Sequence, residues 1–481
     1  GNTRVQGNGQ TPPKTRYLVM NEHIQKAYQL REKGELDEAA RLIANVLNES
    51  PKEMDAIFCY GMVLLSAERF GMAANMFARC MELRPDSWEA MTNYALSMQA
   101  INQFEEAEQV LTKVLRINPN ATSALNNLGL LHVNLVNPVK AIELCERSLK
   151  LNPDQAEAKE NIGYAKLMLG DFSGWKGYED MIGSSKYRKH KPLGKEPYWN
   201  GEKGGRLYVK GEQGIGDEIS FSSILEDARK DNDIIFDCGE KLEGLFRRSF
   251  PEIEVYGTRN NPVKPWRDPR TIDYSCLIGT LAHHYRKKAS DFSGKPFLKA
   301  DPERVTQWRS LLNALPGIKV GIAWTGGMQN TFAKRRSLEL EALLPILQTP
   351  GVTWVSLQYK DPGAEINRFT RKHGIKIHHW KRAAESNDMD DVAALVSCLN
   401  CVVSVQTALV HLCGGLGVKC LTLVPNKPRW FYQISGSRIP WYESVELFRQ
   451  TDKWPIESVR GALQKELDAY DTFKQIMLEV H

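Results

Sequence analysis

Apolar residues in the first third of this chain recur at helical spacing, and that spacing is itself repeated. Prolines stand at Pro51, Pro85, Pro119 and Pro153, each 34 residues after the one before. Leu36, Phe70, Phe104, Pro138 and Phe172 keep the same step. So do Ala39, Ala73, Ala107 and Ala141, and the small residues Gly61, Ala95, Gly129 and Gly163. The pattern predicts a helix–turn–helix pair in each period. The small residues let the paired helices approach closely, and proline ends the second helix because it cannot donate the next backbone hydrogen bond. Repeats fall at about 20–53, 54–87, 88–121 and 122–155, and a degenerate fifth runs into GDFSGWKGYEDMIG. There Trp175 replaces the alanine, which suits a terminal unit packing against the next domain. The repeat region spans 17–185.

The pattern then changes. The stretch 186–205 (KYRKHKPLGKEPYWNGEKGG) is basic, rich in Pro and Gly and aperiodic, and reads as a linker. After it a short apolar strand, RLYVK, leads through a glycine turn into an amphipathic helix, and DIIFDC, KLEGLFRRSF, IEVYG and DYSCLIG continue the strand–helix cadence. This small half occupies 206–310. The cadence restarts at Ile318: KVGIAW, GVTWVSLQY, IKIHHW, CVVSV and KCLTLVP alternate with LELEALLPIL, GAEINRFTRKHG, MDDVAALVSCL and ALVHLCGGLG. A helix over about 455–479 closes this second half, 311–481. β-branched strands alternating with helices predict a parallel, doubly wound sheet, whose ligands bind at the carboxyl ends of the strands.

Composition narrows the classes of function. The 481 residues, 42% hydrophobic, are enough for about three compact units. A net charge of +5, from 63 basic and 58 acidic residues, gives no basic stripe of the kind nucleic acid requires. No apolar run approaches the roughly 20 residues of a membrane span, and the polar start, GNTRVQGNGQTPPKTR, holds no apolar stretch of the secretory kind. Nine cysteines scattered singly through apolar surroundings suggest free thiols in a reducing, cytoplasmic setting. Cys398 and Cys401 form a CxxC, but without a second pair at zinc spacing it reads as structural, and no metal site is expected.

Three motifs sit where a doubly wound sheet would bind its ligand. In the turn Gly211-Glu212-Gln213-Gly214-Ile215-Gly216-Asp217, the glycines allow close backbone approach, and Asp217 serves either as a general base on a hydroxyl or as a helix cap. Thr325-Gly326-Gly327, followed by Lys334-Arg335-Arg336, reads either as a diphosphate clamp or as a solvated basic run. Ser404-Val405-Gln406-Thr407-Ala408, with His411 one turn on, offers helix N-terminal amides as an anion site. A lone histidine in that place is also an ordinary core residue. In the repeats, Asn93, Asn127 and Asn161 keep the 34-residue step on successive first helices. Such a ladder of amides could hold the backbone of an extended peptide, although asparagine is common at this position in such repeats.

A 34-residue helix–turn–helix period is the signature of tetratricopeptide repeats, which stack into a solenoid. Over about 206–450, the blocks GEQGIGDEISF, KRRSLELEALLPIL, VSLQYK, DMDDVAALVSCLNCVVSVQTALVHLCGGLGV and IPWYESVELFRQ resemble heptosyltransferase-type glycosyltransferases of family 9. The combination is similar to bacterial proteins that join such a region to tetratricopeptide repeats, and its plan resembles that of the protein O-GlcNAc transferases.

The resemblance implies an α-helical solenoid followed by an α/β GT-B region of two Rossmann-like halves. It implies an inverting, metal-independent transfer from a nucleoside diphosphate sugar, which is a substrate and not a cofactor. Asp217 would be the base, and Arg336, Thr407, Ala408 and His411 would attend the diphosphate. Gln358, Tyr359, Asp390 and Asp391 would lie near the nucleoside, with Gly214, Gly216, Thr325, Gly326, Lys334 and Gln406 completing the donor site. The family block reads Ser-Val-Asp-Thr where this chain has Gln406, so its donor preference or activity should differ. The implied partners are a nucleotide-sugar and a protein or peptide acceptor held by the repeats, which could also mediate homo-oligomerisation. The alternatives are a polysaccharide or lipid-linked acceptor, and a non-catalytic nucleotide-binding scaffold.

Overall fold

The computed structural model describes residues 22–180, 182, 188–212, 214–266, 272–327, 333–385 and 388–479, with side chains up to 475. The polar N-terminal stretch, the start of the linker and Gln213 of the glycine turn lie outside these residues. Two compact units result: 22–166 with 176–180, and 167–175 with 182–479.

The first unit is a stack of antiparallel helix pairs: α1 (Glu22–Lys33) with α2 (Leu36–Glu49), α3 (Met54–Ser66) with α4 (Phe70–Leu83), α5 (Trp88–Ala100) with α6 (Phe104–Ile117), and α7 (Thr122–Asn134) with α8 (Pro138–Leu151). The chain continues into α9 (Ala156–Met168) and, after a 3-10 turn at Phe172–Gly174, α10 (Trp175–Asp180). Second helices start at Leu36, Phe70, Phe104 and Pro138, the residues that carry the 34-residue step. Ala39, Ala73, Ala107 and Ala141 are fully buried at the contacts between paired helices. A side chain at Gly129 would overlap Cys145 Sγ on the facing helix.

The turn between paired helices has a periodicity of its own. Gly34, Glu68, Asn102, Val136 and Gly170 all take positive φ, at 82°, 58°, 65°, 61° and 77°. Each follows a helix whose last carbonyls are satisfied by the turn: Arg69 N donates to Leu64 O at 2.9 Å and Glu68 N to Leu65 O at 3.1 Å. That is the Schellman arrangement, which normally favours glycine at the left-handed residue.

The second unit contains two parallel sheets. The first half runs β1 (Arg206–Lys210), α11 (Ile215–Ser222), α12 (Leu225–Asp231), β2 (Asp233–Asp237), α13 (Glu243–Ser249), β3 (Glu254–Tyr256), β4 (Tyr274–Leu277) and α14 (Thr280–Tyr285). Its strand order is β3-β2-β1-β4.

Next come α15 (Pro302–Asn313), β5 (Ile318–Ala323), α16 (Leu344–Leu347), β6 (Val352–Ser356), α17 (Gly363–His373), β7 (Ile377–His378), α18 (Lys381–Ala384) and α19 (Met389–Ser397). The chain ends with β8 (Cys401–Val405), α20 (Ala408–Leu416), β9 (Cys420–Val424), β10 (Val445–Arg449) and α21 (Ile456–Glu479). The six strands lie in the order β10-β9-β8-β5-β6-β7, the doubly wound arrangement with its switch point between β5 and β8. Trp324, Trp354, Val403, Leu421 and Leu463 pack the core beneath that sheet.

Three expectations change. The described part of the linker, 188–205, is integral to the first half. Arg188 is fully enclosed and grips Glu212 through Nε and Nη2 at 2.8 and 2.9 Å, Trp199 is buried, and Tyr198 pairs with Ser275 beside β4. The boundary at 311 cuts α15, which packs on α19 of the second half through Trp308 Nε1 and Asp391 at 3.3 Å. LELEALLPIL forms a 3-10 turn at Leu340–Leu343 and one α-turn, since Pro345 cannot donate within a longer helix. Trp175 packs as expected: it is buried in ring contact with Phe221, Trp430 and Trp441, within the α/β unit.

The nine cysteines are free thiols, buried except for half-buried Cys398. Among the described residues no helix is long and apolar enough to cross a membrane, and no cluster of His, Cys, Asp and Glu is arranged to hold a metal ion.

Candidate ligand-binding cleft

A cavity of about 460 Å³ opens at the carboxyl ends of β5, β6 and β8, lined also by the start of α11. Its size is that of a small-molecule site, and its place is the switch point, where strand connections diverge and leave a crevice.

The start of α20 forms one wall. Thr407 caps the helix, its Oγ1 accepting from Leu409 N at 3.2 Å. The first amides of a nine-residue helix therefore border the cavity, with the positive end of its dipole. Arg336, at the end of the 3-10 turn Ala333–Arg336, is buried against the same place and donates from Nη1 to the Gln406 carbonyl at 2.9 Å. Burial, and then the charge of Arg429, lower its pKa to about 10, so it is still a cation at neutral pH.

The start of α11 faces α20. A Cβ on Gly216 would lie 2.9 Å from His411 Cδ2 and 3.3 Å from Ala408 Cα, so only glycine allows the two helix starts to come this close. Asp217 follows, half-buried and lining the cavity. Its Oδ2 accepts from Gly214 N at 3.2 Å, so it does cap α11. Burial acts to raise its pKa, while the charge of Arg429 acts to lower it. His411 is bonded through Nδ1 to Tyr442 Oη at 3.1 Å and lies edge-on to Phe431. Burial pushes its pKa down to about 4, which leaves a neutral imidazole rather than a cation.

Gln358 has a bracing role. Its Oε1 accepts from Trp324 N and Thr325 N at 3.0 and 3.3 Å and its Nε2 bonds Thr325 Oγ1, which shapes the turn after β5. Tyr359 is 46% exposed at the rim, its hydroxyl on Gly327 O at 3.1 Å. A side chain on Gly326 would overlap Thr407 Cγ2, so this turn is pressed against the start of α20.

The cavity thus gathers Gly214, Gly216, Asp217, Thr325, Arg336, Gln358, Tyr359, Gln406, Thr407, Ala408 and His411. Four expected residues are not in the lining; Gly326 lies between two that line or border it, Thr325 and Gly327, and three fall elsewhere. Lys334 is exposed and outside the lining, on the opposite side of the short turn whose last residue, Arg336, is buried. Asp390 is held by Arg248 of α13 at 2.8 and 3.1 Å. Asp391 is held by Arg382 Nε at 3.0 Å and by Trp308. The α19 residues that reach the cavity are Met389 and Val392, because the acidic pair sits on the helix face turned to α13 and α15.

Sequence reasoning missed the segment Arg429–Tyr432, which lines the cavity from a 3-10 turn after β9. Its signal was positional, since it directly follows a strand of the doubly wound sheet. In the repeats, Asn93 and Asn127 are fully buried and Asn161 nearly so. Asn93 Nδ2 donates to Glu89 O at 3.0 Å, and Asn161 Nδ2 to Asn126 Oδ1 at 2.8 Å. Among the described residues, neither amide atom of Asn127 has a partner.

Residues 64–128 match the tetratricopeptide-repeat family, so the N-terminal region carries these repeats. The chain is 31% identical over 293 residues to Protein FlbA of Caulobacter vibrioides, an alignment that takes in 57% of this chain and 48% of that protein. It therefore spans about half the length of this relative. Among solved structures, a thermophilic tetratricopeptide-repeat protein of Thermus thermophilus is 19% identical, covering 33% of this chain and 88% of its own, with a TM-score of 0.31. The PilF protein of Pseudomonas aeruginosa is 20% identical, covering 35% and 77%, with a TM-score of 0.31.

Proposed function

We propose that this chain is an inverting, metal-independent glycosyltransferase of the GT-B type, moving a sugar from a nucleoside diphosphate sugar to a protein or peptide acceptor. The observation that carries the reading is the pairing, in one cavity, of an anion site with a carboxylate. The α20 amides, Arg336 and Arg429 form the first, and Asp217 supplies the second. A leaving diphosphate without a metal needs such fixed positive groups, and an acceptor hydroxyl needs a base. In the step implied, the acceptor oxygen attacks the anomeric carbon while its proton passes to Asp217. The bond from that carbon to the diphosphate oxygen breaks, and its electron pair leaves with the diphosphate.

The peptide acceptor is supported by the inner helices of the repeats. Asn93 Oδ1, Gln99 Oε1, Asn126 Nδ2 and both amide atoms of Asn127 are buried without hydrogen-bond partners among the described residues, a surplus that a peptide backbone would satisfy. Capture by such a module raises the local concentration of acceptor without any new contact at the catalytic centre. One observation favours a second reading, a nucleotide-binding scaffold without turnover: Asp217 is engaged as a helix cap.

A thermal-shift screen of the purified chain against UDP, GDP, ADP, CDP and dTDP tests the shared premise. One of them is expected to raise the melting temperature in a saturable way, by mass action. No shift with any of the five would sink both readings. Turnover of the matching sugar nucleotide then separates enzyme from scaffold.

A further inference from the structure

We propose that the side-chain amide of Gln406 selects the transferred group, meeting an uncharged sugar hydroxyl as both donor and acceptor; this rests on the transferase reading above. Gln406 is fully enclosed, lines the cavity, and has no hydrogen-bond partner among the described residues at either Oε1 or Nε2. Buried polar atoms are nearly always paired, because an unpaired one has given up water for nothing. Three neighbouring polar side chains are used within the protein: Gln358 on Trp324 and Thr325, Thr407 on Leu409, and His411 on Tyr442. Gln406 is held through its main chain instead, its carbonyl accepting from Arg336 Nη1.

The chemistry of the amide narrows the ligand. A carboxylate at this position would only accept, and would place a negative charge beside the leaving diphosphate. An amide donates and accepts while staying neutral, and a hydroxyl is its complement because it also does both. Position argues for the sugar and against the nucleoside. Gln406 adjoins the start of α20, where Ala408 meets Gly216 next to Asp217. Gln358 and Tyr359 follow β6, which is separated from β8 by the whole of β5.

An amide kept unpaired weakens the free protein, so its removal has opposite effects with and without ligand. The full chain and its Gln406→Met variant, of similar shape but apolar, are melted without ligand. Their affinities for UDP, GDP, ADP, CDP and dTDP, and for the five corresponding diphosphoglucoses, are then measured by calorimetry. The variant is expected to melt about 2–4 °C higher when free. It should keep its nucleoside diphosphate affinity within about threefold while losing about tenfold or more for the sugar nucleotide. Gln406→Glu, isosteric but charged, should show the same selective loss.

A lower melting temperature for the free Met variant overturns the assignment, as does an equal change in both affinities or none in either. Those results leave nucleotide binding by the unsubstituted chain intact, and with it the transferase reading. If no probe binds the unsubstituted chain, the transferase reading fails, and this assignment fails with it.

Discussion

Arg336 and Gln406 are joined side chain to main chain, with the guanidinium Nη1 donating to the carbonyl at 2.9 Å. The bond ties the turn after β5 to the end of β8 and holds a buried cation beside the α20 amides. Lysine carries its charge at a point and cannot hold a carbonyl and a phosphate oxygen through one planar fork. Arg336→Lys is therefore expected to weaken nucleoside diphosphate binding about tenfold or more, measured by calorimetry at fixed salt. Unchanged affinity would remove Arg336 from the anion site.

Asp217 both caps α11 and lines the cavity, and the two roles separate by substitution. Asparagine can still accept from Gly214 N but cannot take a proton at neutral pH. Asp217→Asn should keep the melting temperature and the nucleotide affinity while transfer falls at least a hundredfold, roughly the lower bound for losing a general base. Asp217→Ala should lose transfer equally and also about 1 kcal/mol of stability with the cap. Full transfer by either variant would show that the base lies elsewhere.

The left-handed turns of the repeats give a stability prediction. Val136 stands at φ 61°, in a series where Gly34 and Gly170 take the same conformation freely. A β-branched residue there is strained by roughly 1–2 kcal/mol. Val136→Asn should raise the stability of the repeat unit by about 0.5–1 kcal/mol, since asparagine tolerates this region and keeps a side chain. The check is the midpoint of its urea transition, and a lower midpoint would mean that packing by Val136 outweighs its strain.

That turn shows where the sequence stopped being legible. The 34-residue step placed the starts of the second helices because proline and large apolar residues mark them by type. The turn series Gly, Glu, Asn, Val, Gly shares no chemistry, and its conformation is set by main-chain bonds such as Arg69 N to Leu64 O. The strands from β5 to β9 were legible as apolar runs, whereas β10 was not, because Glu446 and Arg449 interrupt it. Thr407 and His411 could be located from strand ends. Asp390 could not, since periodicity fixes that a helix has two faces without saying which partner each meets. Arg248 decided that, from 142 residues away in sequence.

Titration gives a further test. Burial pushes the imidazoles of His284 and His411 down to about 4, against 6.5 in the unfolded chain. Between those values the unfolded chain binds more protons than the folded one, so stability rises with pH. The contribution of these neutral rings is whole above pH 6.5 and is lost as pH falls through 4. Glu218 has the opposite sign: burial raises its pKa from 4.5 to about 7, so its contribution is lost as pH rises through 7. The two effects oppose each other between pH 4.5 and 6.5. His284→Gln should therefore reduce the loss of stability between pH 7 and pH 5, and Glu218→Gln should enlarge it, read from urea midpoints of the α/β unit. Changes of the reverse sign in both variants would contradict the assigned shifts.

Gly216 sits where α11 and α20 approach most closely, with a hypothetical Cβ 2.9 Å from His411 Cδ2 and 3.3 Å from Ala408 Cα. The ring of His411 is pinned by Tyr442 and Phe431, so it cannot yield cheaply, and the starts of the two helices must separate instead. Asp217 moves with α11, while the anion site stays with α20 and Arg336. Near-attack geometry is sensitive on this scale: a displacement of about 1 Å can cost a hundredfold in rate. Gly216→Ala should thus lower kcat about a hundredfold while changing nucleoside diphosphate affinity little, because the groups that bind the diphosphate lie on one side of the displacement. Gly216→Ser should behave alike. A fall in kcat with no fall in melting temperature would separate mispositioning from unfolding. Equal losses of kcat and of nucleotide affinity would instead mean that the start of α11 itself contacts the diphosphate.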